Sequence, residues 1–140
     1  MDDIRICSEA LDVAAAVRQV TCPEAGGIDL FLGTTRAEEH AEFGALVALE
    51  YEAYEAMAVS EIRRLVAGAR GRWPVIHCVV WHRIGRVAVG EASVIVAVGT
   101  PHRSEAFEAC RYLIDELKKI APIWKKEVYA NAAQWQAEKR

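Results

Sequence analysis

The sequence predicts an α+β fold, with a mixed or antiparallel sheet and packed helices. Three observations lead there. Apolar residues recur at helical spacing in several stretches, two other stretches are continuous runs rich in Val and Ile, and the two kinds follow one another irregularly. The chain has 140 residues, enough for one domain over residues 1–140 to bury its own core without metals or disulfides. It contains no repeat, low-complexity tract or dividing linker.

Taken in order, Ser8 is placed to cap a helix running to about Val20, with Leu11, Ala14, Ala15 and Val17 on its apolar face. The turn Cys22-Pro23-Glu24-Ala25-Gly26-Gly27 ends it. Residues Ile28 to Gly33 and Ala45 to Tyr51 read as strands, with the polar stretch from Arg36 to Gly44 looping between them. Glu55 to about Ala69 reads as a helix with Met57, Ala58, Ile62, Leu65 and Val66 inward, closed by Gly71 and Pro74. Val75 to Trp81 and Ala92 to Gly99 suit two buried strands, joined through the shorter segment Arg86 to Val89.

Thr100-Pro101 reads as an N-cap with a first-turn proline, opening a helix whose buried face holds Phe107, Cys110, Leu113, Ile114 and Leu117. That helix ends near Ala121, because Pro122 cannot continue it. Lys125 therefore falls on a new segment, and the seven residues from Lys118 to Lys125 are not two helical turns. A short final helix is expected over Asn131 to Lys139, anchored by Trp135.

Composition bounds the function. The chain is 53% hydrophobic and 26% charged, the balance of a globular protein. A net charge of -3 argues against a broad nucleic-acid surface. No long apolar run is present and the first residues lack the pattern of a signal peptide, so a cytoplasmic location without membrane attachment is expected. Cys7, Cys22, Cys78 and Cys110 are scattered with no CxxC pair, which fits neither a zinc site nor a redox dithiol.

Against this mildly acidic background, Lys118, Lys119, Lys125 and Lys126 form a concentrated basic run. Lysines at a helix end also complement the macrodipole, so a solvated terminus and an anion site are both open readings. Arg36 after one hydrophobic run, and His102-Arg103 after another, are further places where positive charge could join that cluster. Arg103 suits a forked phosphate contact in a first helical turn, although a helix-start Arg and a surface His can equally be solvated. Crowded lysines can have a depressed pKa and serve as nucleophile or acid-base group.

Several fragments in order carry a family resemblance. They are Phe31-Leu32-Gly33-Thr34-Thr35-Arg36, Leu49-Glu50-Tyr51-Glu52-Ala53-Tyr54 with Met57-Ala58, and His82-Arg83-Ile84-Gly85. Ala97-Val98-Gly99, His102-Arg103-Ser104-Glu105-Ala106-Phe107, Ile114-Asp115 with Leu117-Lys118, and Ala121-Pro122-Ile123-Trp124-Lys125-Lys126-Glu127 follow. Together they resemble the large, catalytic subunit of molybdopterin synthase, over nearly the whole chain.

The resemblance implies that family's hammerhead-like α+β fold and a homodimer within a heterotetramer. Two small ubiquitin-like sulfur-carrier subunits, each ending in a Gly-Gly thiocarboxylate, complete it. It implies sulfur transfer to cyclic pyranopterin monophosphate in molybdenum cofactor biosynthesis, with no cofactor or metal and no catalytic cysteine. Carried over by residue, Lys118 and then Lys125 are the expected catalytic groups. Thr34, Thr35, Arg36, His102, Arg103, Lys126 and Glu127 are expected to bind substrate, and Lys126 with Glu127 can equally form a surface ion pair. One departure stands out: the loop Ala37-Glu38-Glu39-His40-Ala41-Glu42-Phe43 is acidic where the resemblance leads us to expect more Gly and basic residues. Two contrasting readings are a non-catalytic module that only binds a phosphorylated pterin or a carrier tail, and a cysteine-dependent sulfurtransferase.

Overall fold

The computed structural model describes residues 1–131 and the backbone of residues 133–139. The chain order is β1 (Asp2–Cys7), α1 (Val13–Val20), β2 (Gly27–Thr34), β3 (Glu39–His40), β4 (Gly44–Ala53), α2 (Glu55–Arg72), β5 (His77–Arg83) and β6 (Gly85–Ala88). It continues with β7 (Ala92–Thr100), α3 (Arg103–Ile120), β8 (Ile123–Tyr129) and β9 (Ala133–Lys139). This is an α+β architecture with two sheets. The first has strand order β1-β5-β7-β2, and only its β1–β5 pair is parallel. The second runs β3-β4-β8-β9, with β6 also paired to β4.

The apolar runs of β5 and β7 follow from cover on both faces of the first sheet. Successive strand side chains point to opposite faces. Cys78, Val80, Val94, Val96 and Val98 pack with Ile62 and Val66 of α2, Leu113 and Leu117 of α3, and Leu49, Tyr51 and Ile123 of the second sheet. Val79, Trp81, Ile95 and Ala97 meet Ala16 and Val20 of α1 in a separate cluster. At Gly99 a Cβ would stand 2.5 Å from the Val20 carbonyl oxygen, so the end of α1 approaches β7 as closely as only glycine allows.

Several local expectations change. Asp12, not Ser8, caps α1 by accepting from the Ala15 N–H at 3.1 Å, and the helix buries Ala16 and Val20 while Ala14 and Val17 are exposed. The stretch before it contains β1, whose Ile4 and Ile6 alternate onto the core. Met57 is 55% exposed and Phe107 57% exposed, so neither is a core residue. Helix α2 runs through Gly71 to Arg72, with Trp73 as its C-cap. Val75 and Ile76 precede β5. Thr100 is the last residue of β7, and His102 occupies the N-cap position of α3. The final segment is a strand, because Ala133–Lys139 pairs antiparallel with β8; the anchoring role expected of the Trp135 side chain lies outside the described residues.

Candidate active site

Strand β2 leaves the first sheet at a register shift between Gly33 and Thr34. The next residue is held firmly. The Thr35 N–H donates to the Glu91 carbonyl at 3.0 Å and its own carbonyl accepts from the Gly90 N–H at 2.8 Å, tying it to the turn before β7. Thr35 is 4% exposed, and its Oγ1 has no hydrogen-bond partner among the described residues. Arg36 then projects into solvent, where its guanidinium meets the Glu38 carboxylate at 2.9 Å.

Lys118 lies in the last turn of α3. The helix stops at Ala121, whose N–H reaches the Leu117 carbonyl at 3.2 Å, and Pro122 follows. The chain turns back as β8, which pairs antiparallel with β4. Tyr51 faces Lys125 in register, Glu50 faces Lys126 and Leu49 faces Glu127. Alternation along β8 sends Lys125 and Glu127 to one face and Lys126 to the other.

Lys118 and Lys125 thus line one cavity of about 440 Å³, together with Gly33, Thr34, Thr35, Arg36, Glu38, Tyr51 and Glu127. Its cationic groups outnumber its carboxylates. Such a cavity suits an anionic ligand, with hydroxyl and phenol groups for orientation and ammonium groups for proton delivery or charge stabilisation. The Tyr129 hydroxyl donates to the Glu127 carboxylate. That bond, with burial and the Glu38 charge adding to it, pushes the phenol up to about 12.

Three expected site residues stand outside the walls of this cavity among the described residues. Lys126 pairs with Glu50 at 3.0 Å on the opposite face of the sheet. His102 and Arg103 are exposed at the start of α3, about 22 Å from Lys118 at 1.5 Å per helical residue. Their place is fixed by the approach of α3 to β2: a Cβ on Gly27 would lie 2.7 Å from the Arg103 Cα. Conversely, Tyr51 and Glu38 line the cavity although neither was singled out for the site. Tyr51 lies within one of the family-like fragments but has no charge to mark it, and its place opposite Lys125 brings it to the cavity wall. Glu38 belongs to the acidic loop that departs from the resemblance.

No cysteine lines the cavity. Cys78 and Cys110 are buried, and burial pushes each thiol up to about 12. Burial also raises Cys7. Among the described residues, no group of three His, Cys, Asp or Glu side chains could hold a metal ion. No helix among them is long and apolar enough to cross a membrane.

The chain is 44% identical over 138 residues to the molybdopterin synthase catalytic subunit of Homo sapiens, covering 99% of this chain and 72% of that protein. The corresponding Bos taurus protein is 46% identical over 139 residues, with the same shares covered. The crystal structure of molybdopterin synthase from Staphylococcus aureus superposes with a TM-score of 0.89 at 30% identity, covering 95% of this chain and 96% of that one. The sequence profile described as MoaE protein matches residues 6–120. On both its fold and this match over most of its length, the chain belongs to the MoaE protein family.

Proposed function

We propose that this chain is a sulfurtransferase, the catalytic subunit of a molybdopterin synthase. It converts cyclic pyranopterin monophosphate to molybdopterin with sulfur from the C-terminal Gly-Gly thiocarboxylate of a small ubiquitin-like carrier. The observation that carries this reading is the convergence of Lys118, Lys125 and Arg36 on one cavity in a chain with 44% identity to a named catalytic subunit. An anionic carrier tail and a phosphorylated pterin both require cations there, and the cavity has them without a cysteine.

In each transfer the thiocarboxylate sulfur forms a bond to a pterin carbon while a carbon–oxygen bond at that carbon breaks, the oxygen leaving as water or with the phosphate, and the product is a carrier acyl thioester. Water then attacks the acyl carbon, the carbon–sulfur bond to the carrier breaks, and the carrier leaves as a carboxylate while sulfur stays on the pterin. Two rounds supply the two sulfurs of the dithiolene. Lys118 serves beside the acyl group as proton donor and acceptor, and Lys125 stabilises the oxyanion that forms when water adds. Arg36 binds the phosphate, while Thr34, Thr35 and Glu127 hold polar edges of the substrate.

The assembly we propose is a homodimer of this chain, each copy a single domain over residues 1–140, bound to two carriers in the cytoplasm. His102 and Arg103 contribute to substrate binding only if a second copy brings them to the cavity, since about 22 Å of helix separates them from Lys118 within one chain. Lys126 supports the site indirectly, by its pairing with Glu50 behind it.

The test mixes the purified chain with thiocarboxylated carrier and cyclic pyranopterin monophosphate and quantifies molybdopterin as its fluorescent oxidation product. Product from the wild-type chain and none from Lys118→Ala is expected. No product from the wild type, with an active synthase run in parallel, overturns the reading.

A further inference from the structure

Glu38 lines the cavity and its carboxylate also holds Arg36. This charge arrangement has a consequence for anion affinity. An anion that binds Arg36 must first take the guanidinium from Glu38.

The loop presents this carboxylate in an ordered way. The Glu38 carbonyl accepts from the Leu46 N–H at 2.8 Å, and Glu39–His40 continues as β3 against Gly44 and Ala45 of β4. Beyond it the His40 Nδ1 accepts from the N–H groups of Glu42 and Phe43 at 3.0 and 3.2 Å, and its ring stacks on Phe43 at 4.3 Å. The Glu38 charge also reaches the Tyr129 phenol, which it helps to raise after the Glu127 hydrogen bond and burial. Side-chain exposures of 84% for Arg36 and 41% for Glu38 make the pair weak enough to exchange partners in water.

We propose that Glu38 is the internal counter-ion of Arg36 in the ligand-free cavity, and that the substrate phosphate displaces it and so binds against its competition. The inference rests on the function proposed above. The cyclic phosphate ester carries one negative charge, as the carboxylate does, so the two compete for Arg36 on nearly equal terms and Glu38 lowers the affinity for an anion that uses this guanidinium.

The experiment measures the dissociation constant of cyclic pyranopterin monophosphate by calorimetry for the wild type, Glu38→Gln and Glu39→Gln, with turnover assayed in parallel. Glu39 is exposed on the same loop and outside the cavity walls, so its variant removes the same net charge without the contact. Loss of one exposed ion pair corresponds to about a two- to fivefold tighter constant in Glu38→Gln, with little change in Glu39→Gln. The difference narrows as salt screens the pair. Equal constants in the two variants, or weaker binding in Glu38→Gln, overturn the inference while wild-type turnover keeps the functional reading intact. A wild-type chain that neither binds the pterin nor turns it over overturns both.

Discussion

Tyr51 of β4 stands directly opposite Lys125 of β8, and the pair forms part of one cavity wall. The next residue along β8, Lys126, faces away and pairs with Glu50. Two adjacent lysines of identical chemistry therefore have different expected effects. Lys125→Gln is expected to lower kcat by about 10²–10³-fold, the magnitude for removing a donor to a developing oxyanion. Lys126→Gln loses a partly exposed ion pair, costing about 0.2–1 kcal/mol of stability and leaving most of kcat in place. Steady-state kinetics and denaturant midpoints on both variants check this.

Lys118 is exposed at the end of α3, so Lys118→Ala is expected to unfold at nearly the wild-type midpoint, within about 0.5 kcal/mol. Its turnover is expected to fall by about 10²–10⁴-fold, the range for a positioned acid-base group. Thermal unfolding followed by circular dichroism, beside single-turnover kinetics, separates the two effects.

Thr35 gives an opposed pair of outcomes. Its buried hydroxyl lacks a protein partner among the described residues, so Thr35→Val removes an unpaired polar group and is expected to raise stability by about 1 kcal/mol. If that hydroxyl serves the substrate, KM rises in the same variant. A stabler enzyme with a higher KM is the expected result of urea titration and kinetics together.

Cys78 and Cys110 titrate far above their ordinary value of 9.0, at about 12, because burial disfavours the thiolate. The folded state thus keeps protons that the unfolded state releases. Their contribution to stability is complete below 9.0 and is lost as pH rises from there toward 12. Denaturant midpoints taken from about pH 8 to pH 11 are expected to decline, less steeply in Cys110→Ala. Native Cys78 and Cys110 are also expected to resist alkylation at about pH 8, and Cys7→Ser with Cys22→Ser to retain turnover within about twofold.

Much of this fold was legible because two-sided burial leaves a plain mark. The apolar runs of β5 and β7 need no neighbour to be read as strands, and Pro122 alone announces that Lys125 leaves the helix. The errors have a common cause in tertiary context. The residues of β9 include many helix formers, yet antiparallel pairing to β8 determines their conformation. Helical spacing put Phe107 on the same stripe as Cys110 and Ile114, but it carries no information on how far the covering neighbour extends. The lysines and Arg36 were found by their charge. Tyr51 and the exchange between Arg36 and Glu38 depend on strand register and loop path, which local patterns do not encode.

The reversal at Ala121-Pro122 also makes the cavity sensitive to chain length. Removing one residue between Lys118 and Ile123 and slipping β8 by one residue against β4 would turn the strand over, exchanging Lys125 and Glu127 for Lys126 and Val128 on the inner face. The cation would be replaced by another cation, but the Glu127 carboxylate would turn away from the cavity together with Tyr129, its hydrogen-bond partner. Across any set of working variants, this turn should therefore accept no odd-numbered insertion or deletion.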